Sequence, residues 1–426
     1  MAKPTPDVKS IVIIGGSWGG VATSHYLLHH LIPLLNKTSP SYEVVLISSA
    51  SQAFNRPACP RALISDSLFP QEKLFVSVPA QFTQYPPSNF RFVHATATAL
   101  DTTARTVTIS SVTDHKVTTI PFHALVIATG ATAPSPLLGL SPTNDTPSLR
   151  ASWAAVRAVL PSARHIVIAG GGPTGVEVAS ELAEHLNGPM SRAWVGLPSA
   201  KVKSQIKVQI TIVTASKRIL PGLRESLSEK AEVYLAALGV TIRKGVRVVK
   251  VTPEGAGEGD EHGVTEVVLS DGETIQADVY IPCVGVTPNT GFMTGGREKG
   301  LLTGDGRVET NAKTLRVDGA GAGARIYAIG DASNAAEKPG VHNTLSAVPV
   351  LVANMKKDLI GGEGADREFE EDKRETQLVP IGKSKGVGAM KGWWLPSLLV
   401  WALKGRDYWL WTTGGVWSGK AWEKEQ

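Results

Sequence analysis

The sequence predicts an α/β protein: two parallel-sheet, doubly wound domains followed by a small C-terminal α+β unit. Three observations carry this. A strand, a glycine turn and a helix follow one another near the start, the same succession recurs in the middle, and a tryptophan-rich basic tail belongs to neither. At roughly 150 residues per domain, 426 residues have room for two to three domains.

The β-branched run at residues 11–14 reads as a strand. It meets GGSWGG at 15–20, a helical stretch at 21–31 and a second strand at 43–47. The order returns with a strand at 165–169, GGGPTG at 170–175, a helix at 176–186 and a strand at 209–213. Each is a βαβ unit. GGGPTG fits G-x-G-x-x-G. Gly170 makes the turn, Gly172 lets a pyrophosphate approach the backbone, and Gly175 packs helix on strand, with Pro173 and Thr174 inside the turn and the free N–H groups of the helix that follows suited to an anion.

GGSWGG matches the fingerprint at Gly15 and Gly20, with Gly16, Trp18 and Gly19 at its variable positions, but has Ser17 where the second glycine belongs. The next strand ends in Ser48 and Ser49, where a carboxylate usually grips ribose hydroxyls. Two downstream strands complete this first site. Residues 124–132, ALVIATGAT, end in Thr129 and Gly130, and residues 325–333, RIYAIGDAS, deliver Gly330 and Asp331. The carboxylate of Asp331 can reach a ligand hydroxyl while Gly330 lets the ligand come close. The predicted division is residues 1–140 and 275–350 as a discontinuous first domain, 141–274 as an inserted second one, and 351–426 as the C-terminal unit. Loops are expected at 187–207, 253–263 and 318–323, and the acidic run 362–376 reads as a solvated connector.

Composition excludes several classes. With 42% apolar and 19% charged residues the chain is globular rather than disordered. Two distant cysteines, Cys59 and Cys283, exclude a disulfide scaffold and any CxxC redox or zinc motif, and no metal site is expected. The apolar run at 393–403 is about half the roughly 20 residues of a spanning helix, and signal, transit and lipidation motifs are not evident. The expectation is a soluble cytoplasmic protein, with any contact to a membrane or lipid droplet peripheral. Residues 382–426 hold +4 of the net +5. The rest carries no Lys/Arg stripe, which argues against nucleic-acid binding.

As an ordered set, GGSWGG, ATG, GGGPTGVE, CVGVTPN and AIGDA resemble the two-dinucleotide-binding-domain flavoproteins. GKSKGVGAMKG followed by LLVWALKGRDYWLWTT narrows the resemblance to the ferroptosis-suppressor branch of the apoptosis-inducing-factor-like oxidoreductases. The resemblance implies FAD in the first domain, NAD(P)H in the second, and electron transfer onward to a quinone-like or other diffusible acceptor. It implies that residues 15–20, Ser48, Thr129, Gly130, Gly330 and Asp331 hold FAD, with Asp331 on the ribityl chain. Gly170, Gly172, Pro173, Thr174, Gly175 and Gly285 would hold the nicotinamide nucleotide. Glu177 would face the nicotinamide near the flavin; the alternative is a first-turn carboxylate favoured by the helix dipole. Arg61, in ACPRAL, would sit beside the flavin, the alternative being a surface salt bridge. His342 follows Asp331 closely and reads as a proton donor to a quinone, or else as a helix-capping loop histidine.

The second strand of the inserted unit is followed by Lys217 and Arg218 with no acid, which suits a 2′-phosphate and predicts NADPH in preference to NADH. In the tail, Trp394, Leu398 and Trp401 stand at helical spacing, with Leu395, Leu399 and Ala402 on the neighbouring face. A helix apolar all round, flanked by Lys391, Lys404 and Arg406, either lies on an anionic lipid surface through residues 393–411 or packs in a homodimer. Two rival functions remain open: a redox-sensing, DNA-binding flavoprotein scaffold, and peroxide reduction at Cys59. Pro60 and the lack of a partner cysteine count against the latter, and Cys283 is expected in the core.

Overall fold

The computed structural model describes residues 8–37, 41–189, 206–253, 264–321, 323–338, 340–361 and 364–425. Lys9–Ile14 is an interior strand of a seven-stranded sheet, parallel to Tyr42–Ser48 on one side and Ala124–Ile127 on the other. Ile326–Ala328 extends the sheet beside Ala124–Ile127, so a strand from late in the chain completes the first domain. Beyond Tyr42–Ser48 comes Phe90–Asp101, which continues into the antiparallel Thr106–Ser111 and Val117–Pro121. Ile11, Val12 and Ile13 are fully buried, because a parallel sheet covered on both faces has no wet side.

The second sheet has His165–Ala169 between Gln209–Thr214 and Val279–Pro282, with Val240–Lys244 at the edge, all parallel. Val279–Pro282 therefore belongs to the inserted domain. The crossing back falls after residue 282, not at 275, because this strand's backbone is paired with His165–Ala169. A three-stranded antiparallel sheet, Val248–Thr252, Thr265–Leu269 and Thr274–Ala277, packs its buried side chains against Val167, Ala169 and Val213.

Local structure departs from the expected elements in three places. The first helix is α-helical over Trp18–Tyr26 and then opens into a π turn, Leu27–Leu31. The connector is not simply solvated: Phe369 is buried, Asp366 pairs with Arg316 at 2.7 Å, and Glu375 pairs with Arg224. In the tail, Trp393–Trp394 is a strand on the sheet of Gln377–Ile381 and Lys385–Met390. The helix starts only at Ser397, after the cap residue Pro396, so Trp394 does not share a helix face with Leu398 and Trp401. Most of the expected loops at 187–207 and 253–263 lies outside the described residues. Among the described residues no helix is long and apolar enough to cross a membrane.

Candidate active site

The two glycine turns have the same construction. Gly15 sits at φ +119°, and a Cβ there would lie 2.2 Å from the Ala128 carbonyl oxygen; Gly170 sits at φ +124°, and a Cβ there would lie 2.4 Å from that of Cys283. Each turn is thus wedged against the strand on the far side of its first strand, and only glycine fits. The helix after the first turn, Trp18–Tyr26, is capped by extended Ser17 without a side-chain hydrogen bond, leaving its first N–H groups for an anion.

A Cβ on Gly19 would touch Ala128, Ile329 and Thr344 at 3.3–3.6 Å. The ATG strand, the GD strand and the helix Val341–Ile360 therefore converge on the first turn, as the motif order implied. Thr129 Oγ1 and Trp18 Nε1 are buried there with no hydrogen-bond partner among the described residues. Wedged glycines, free N–H groups and an orphaned hydroxyl fit the pyrophosphate and ribityl hydroxyls of FAD. Gly130 takes φ +66° with open space beside it, and Asn289 donates to the Thr129 and Gly130 carbonyls at 3.0 and 2.9 Å. Asp331 stands partly exposed in the turn Gly330–Ala332. Ser48 is less free: its hydroxyl donates to the Ala50 carbonyl at 2.7 Å, and it packs where a Cβ on Gly16 would fall. His342, exposed in the first turn of Val341–Ile360, is not the cap residue, which is Gly340. Partial desolvation of its ring pulls its pKa down while Asp372 and Glu371 oppose the shift.

In the second turn Gly172 is the helix cap, and a Cβ there would meet nothing within 4 Å among the described residues; Gly285, at φ +62°, is equally open. Space for a pyrophosphate lies beside both. Past Gln209–Thr214, Lys217 is exposed, and Arg218 is half-buried and donates to the Pro221 carbonyl at 3.2 Å.

The helix Pro173–Asn187 carries Glu177, Glu181 and Glu184 on one face, at the three- and four-residue spacing that aligns side chains. Glu177 is buried and lies beyond the first turn, in which no acidic residue sits, so the dipole reading does not describe it. Its partner is Lys404, whose Nζ lies 2.5 Å from Oε1 and also donates to the Leu378 carbonyl at 3.1 Å. Burial pushes the Glu177 carboxyl up to about 7 against the pull of Lys404.

Arg61 is buried too, which replaces the surface salt bridge with an interior one. Its Nη2 donates to Glu181 at 2.7 Å and its Nε at 3.0–3.1 Å, in a fork geometry, and its Nη1 donates to the Arg406 carbonyl at 3.1 Å. Burial opposes the Arg61 charge, but Glu181 outweighs it and raises the guanidinium pKa. The Tyr408 hydroxyl donates to the same carboxylate at 3.0 Å, with its ring 4.8 Å from the guanidinium. One helical turn along, the Lys383 N–H donates to Glu184 at 2.6 Å.

Glu181, Lys404 and Tyr408 were missed as site residues by reading the sequence; Lys404 entered only as a flank of the apolar tail. Lys404 lies in a π turn, Trp401–Gly405, and Tyr408 and Trp409 take φ +51° and +69°. Such backbone concentrates at functional sites. The signal present in the sequence was the pair of glutamates four apart after GGGPTG.

Cys59 does not present a thiol to any ligand: it is buried, donates to the Leu137 carbonyl at 2.9 Å, and burial pushes its pKa far up. Cys283 lies one residue past the end of its strand and is half-buried rather than a full core residue, with its thiol pushed up to about 12 by burial. In the tail, Trp417 and Trp422 are buried in the chain's own core, against the first helix. Trp393 (78%), Leu398 (69%), Trp394 and Trp411 remain exposed.

Residues 9–350 match the family model described as pyridine nucleotide-disulphide oxidoreductase. The oxidoreductase phnG of Penicillium herquei is 53% identical, over 99% of both chains. Ferroptosis suppressor protein 1 of Mus musculus is 25% identical over 93% of this chain and 92% of its own. The solved structure of NDH2 from Plasmodium falciparum, in complex with NADH, superposes with a TM-score of 0.68 at 15% identity, covering 98% of this chain and 99% of that one.

Proposed function

We propose, for a chain that belongs to the pyridine nucleotide-disulphide oxidoreductase family and is an FAD-dependent NAD(P)H oxidoreductase, that its acceptor is quinone-like and that Glu177 supplies a proton to it. FAD, when bound, relays two electrons from the nicotinamide to the acceptor. The chain's own residues do the rest. Gly170, Gly172, Gly175 and Gly285 admit the nucleotide pyrophosphate to the second turn, and residues 15–20 with Thr129, Gly130, Gly330 and Asp331 hold FAD at the first. The observation that carries the reading is the buried Glu177–Lys404 pair. A carboxyl that titrates near neutrality can hold a proton at pH 7 and release it to a reduced acceptor oxygen. Lys404, 2.5 Å away, then stabilises the carboxylate left behind. The burial of Cys59 weighs against peroxide chemistry at that residue.

Anaerobic stopped-flow reduction by NADPH and by NADH, followed by mixing with a short-chain ubiquinone, tests the acceptor and the donor together. Flavin bleaching followed by quinone-driven recovery is expected, faster with NADPH because Lys217 and Arg218 face a 2′-phosphate with no competing acid. Bleaching without recovery would exclude the quinone. An NADH preference would exclude the role given to Lys217 and Arg218.

The exposed Trp393, Trp394, Leu398 and Trp411 support peripheral contact of the tail with a lipid surface, where apolar quinones reside. Flotation with anionic liposomes should fall when Trp393 and Leu398 become Ser. If flotation is unchanged while sedimentation shows a dimer that the same variants dissociate, the face is a homodimer contact instead.

A further inference from the structure

The mechanism above uses Glu177 and Lys404 but not the equally buried ion pair beside them. Arg61 and Glu181 meet through two guanidinium nitrogens, and Tyr408 completes the acceptor's coordination. Three separate segments converge for this: the helix Cys59–Ala62, the helix Pro173–Asn187 and the strained stretch after Trp401–Gly405. A buried ion pair has to overcome the desolvation of both charges and is weak evidence for stability alone. Its value here lies in what it faces.

We propose that Glu181, clamped by Arg61 and Tyr408, is a positioning residue for Glu177, setting a fixed negative charge one helical turn from it so that the proton stays on Glu177 until the acceptor takes it. The proposal rests on the proton-donor reading of Glu177. The groups facing Glu177 are Lys404 from the C-terminal unit, Glu181 from its own helix and Arg61 from the helix Cys59–Ala62, with Tyr408 bonded to Glu181 and Glu184 farther along with the Lys383 N–H. Lys404 and Arg61 oppose the proton and Glu181 favours it; of the second pair, Glu181 acts more strongly on Glu177 than Arg61 does. The clamp also fixes the Glu181 rotamer, so the carboxylate cannot swing to Lys404 and replace Glu177 as its partner.

The test is an infrared difference titration of the FAD-loaded protein. The carboxylic-acid C=O band that disappears in Glu177→Gln reports the proton directly, independently of turnover. In the wild type its midpoint is expected near pH 7. Glu181→Gln should lower the midpoint by about one pH unit, the size expected of a nearby buried charge. Should Glu181→Gln fail to fold with Arg61 unpaired, the double variant Arg61→Gln/Glu181→Gln removes both charges and should lower the midpoint in the same direction by less. Tyr408→Phe keeps both charges and should move the midpoint least. A midpoint left at its wild-type value in Glu181→Gln, or in the double variant, overturns the proposal. The pH profile of acceptor reduction separates the two readings: its alkaline limb should follow the infrared midpoints. A midpoint that moves while the limb does not leaves the electrostatic effect of Glu181 on Glu177 standing but overturns the donor role of Glu177, and with it the purpose proposed for the clamp.

Discussion

Both glycine-turn helices are covered by the C-terminal segment, and they are covered by opposite chemistry. On the first helix the contact is neutral and aromatic. Trp417 packs on Trp18 at a centroid distance of 4.6 Å, and its carbonyl accepts from His25 Nε2 at 2.7 Å, while His30 bonds the Trp422 carbonyl at 2.7 Å. On the second helix the contact is ionic, Lys404 on Glu177 and the Lys383 N–H on Glu184, with Tyr408 on Glu181. One short segment therefore ties the two domains together. The neutral dock supplies cohesion, whereas the ionic dock places titratable groups where the nicotinamide nucleotide is expected.

The largest expected effect separates these roles. Lys404→Met leaves Glu177 buried without its cation, and breaking one side of a buried pair typically costs about 3–5 kcal/mol. Here the penalty depends on pH. The folded pKa of Glu177 is raised from 4.5 to about 7, so its contribution to stability is complete below pH 4.5 and is lost as pH rises through 7. Without Lys404 that loss grows. Denaturant unfolding should find the variant within about 1 kcal/mol of the wild type at pH 5, where the carboxyl is neutral, and about 3 kcal/mol weaker at pH 8. Equal losses at both pH values would mean that Lys404 acts by packing alone, and the two docks would not differ in kind.

The neutral dock should fail in the opposite direction. His25 is fully buried, and desolvation lowers its pKa from 6.5 to about 4 despite the bond to Trp417. A depressed histidine contributes stability that is present above pH 6.5 and lost as pH falls through 4, because the unfolded chain binds the proton first. Between pH 7 and pH 5 this amounts to about 2 kcal/mol. In His25→Gln, whose amide can still donate to the Trp417 carbonyl, the decline should flatten. If wild type and variant lose stability in parallel over that interval, His25 is not the group responsible.

How much of this was legible follows from what each part depends on. The glycine turns, the ATG strand and the GD strand were readable because their constraints are local. Gly15 and Gly170 must be glycine for a backbone contact that a fixed spacing guarantees. The crossing after residue 282 was misplaced because Val279–Pro282 reads equally well as a strand of either sheet, and only its pairing with His165–Ala169 decides. The tail was harder. Pro396 restarts the chain as a helix and removes Trp394 from the apparent apolar face. Lys404 and Tyr408 meet Glu177 and Glu181 across 227 residues, a separation that no local pattern encodes. The glutamates on the helix had a helical spacing that could be read, but the partners docked on them from the tail had none; the residues were visible and their convergence was not.

The smallest effect tests the one place where the two turns differ in composition. Ser17 and Gly172 both cap their helices in extended backbone, at φ −112° and −76°, so the conformation does not demand glycine at either. A Cβ at Gly172 would meet no atom of the described residues within 4 Å, so Gly172→Ala should leave the melting temperature within about 1 °C of the wild type, as expected where no core contact is disturbed. What the methyl group should occupy is the space through which a pyrophosphate reaches the helix N-terminus. Weakened contact with those N–H groups at constant fold predicts a roughly tenfold rise in KM for NAD(P)H, about 1.4 kcal/mol of binding, with kcat unchanged because the loss is shared by ground and transition states. The first turn already carries a side chain at the equivalent position, so FAD bound at the proposed site would need more than backbone proximity, with Asp331 and the Thr129 hydroxyl, which has no partner among the described residues, as the proposed means. An unaltered KM in Gly172→Ala would imply that the second turn, like the first, tolerates a side chain at its cap, and the functional asymmetry between the turns would then reside wholly in the charges that the tail brings to the helix behind it.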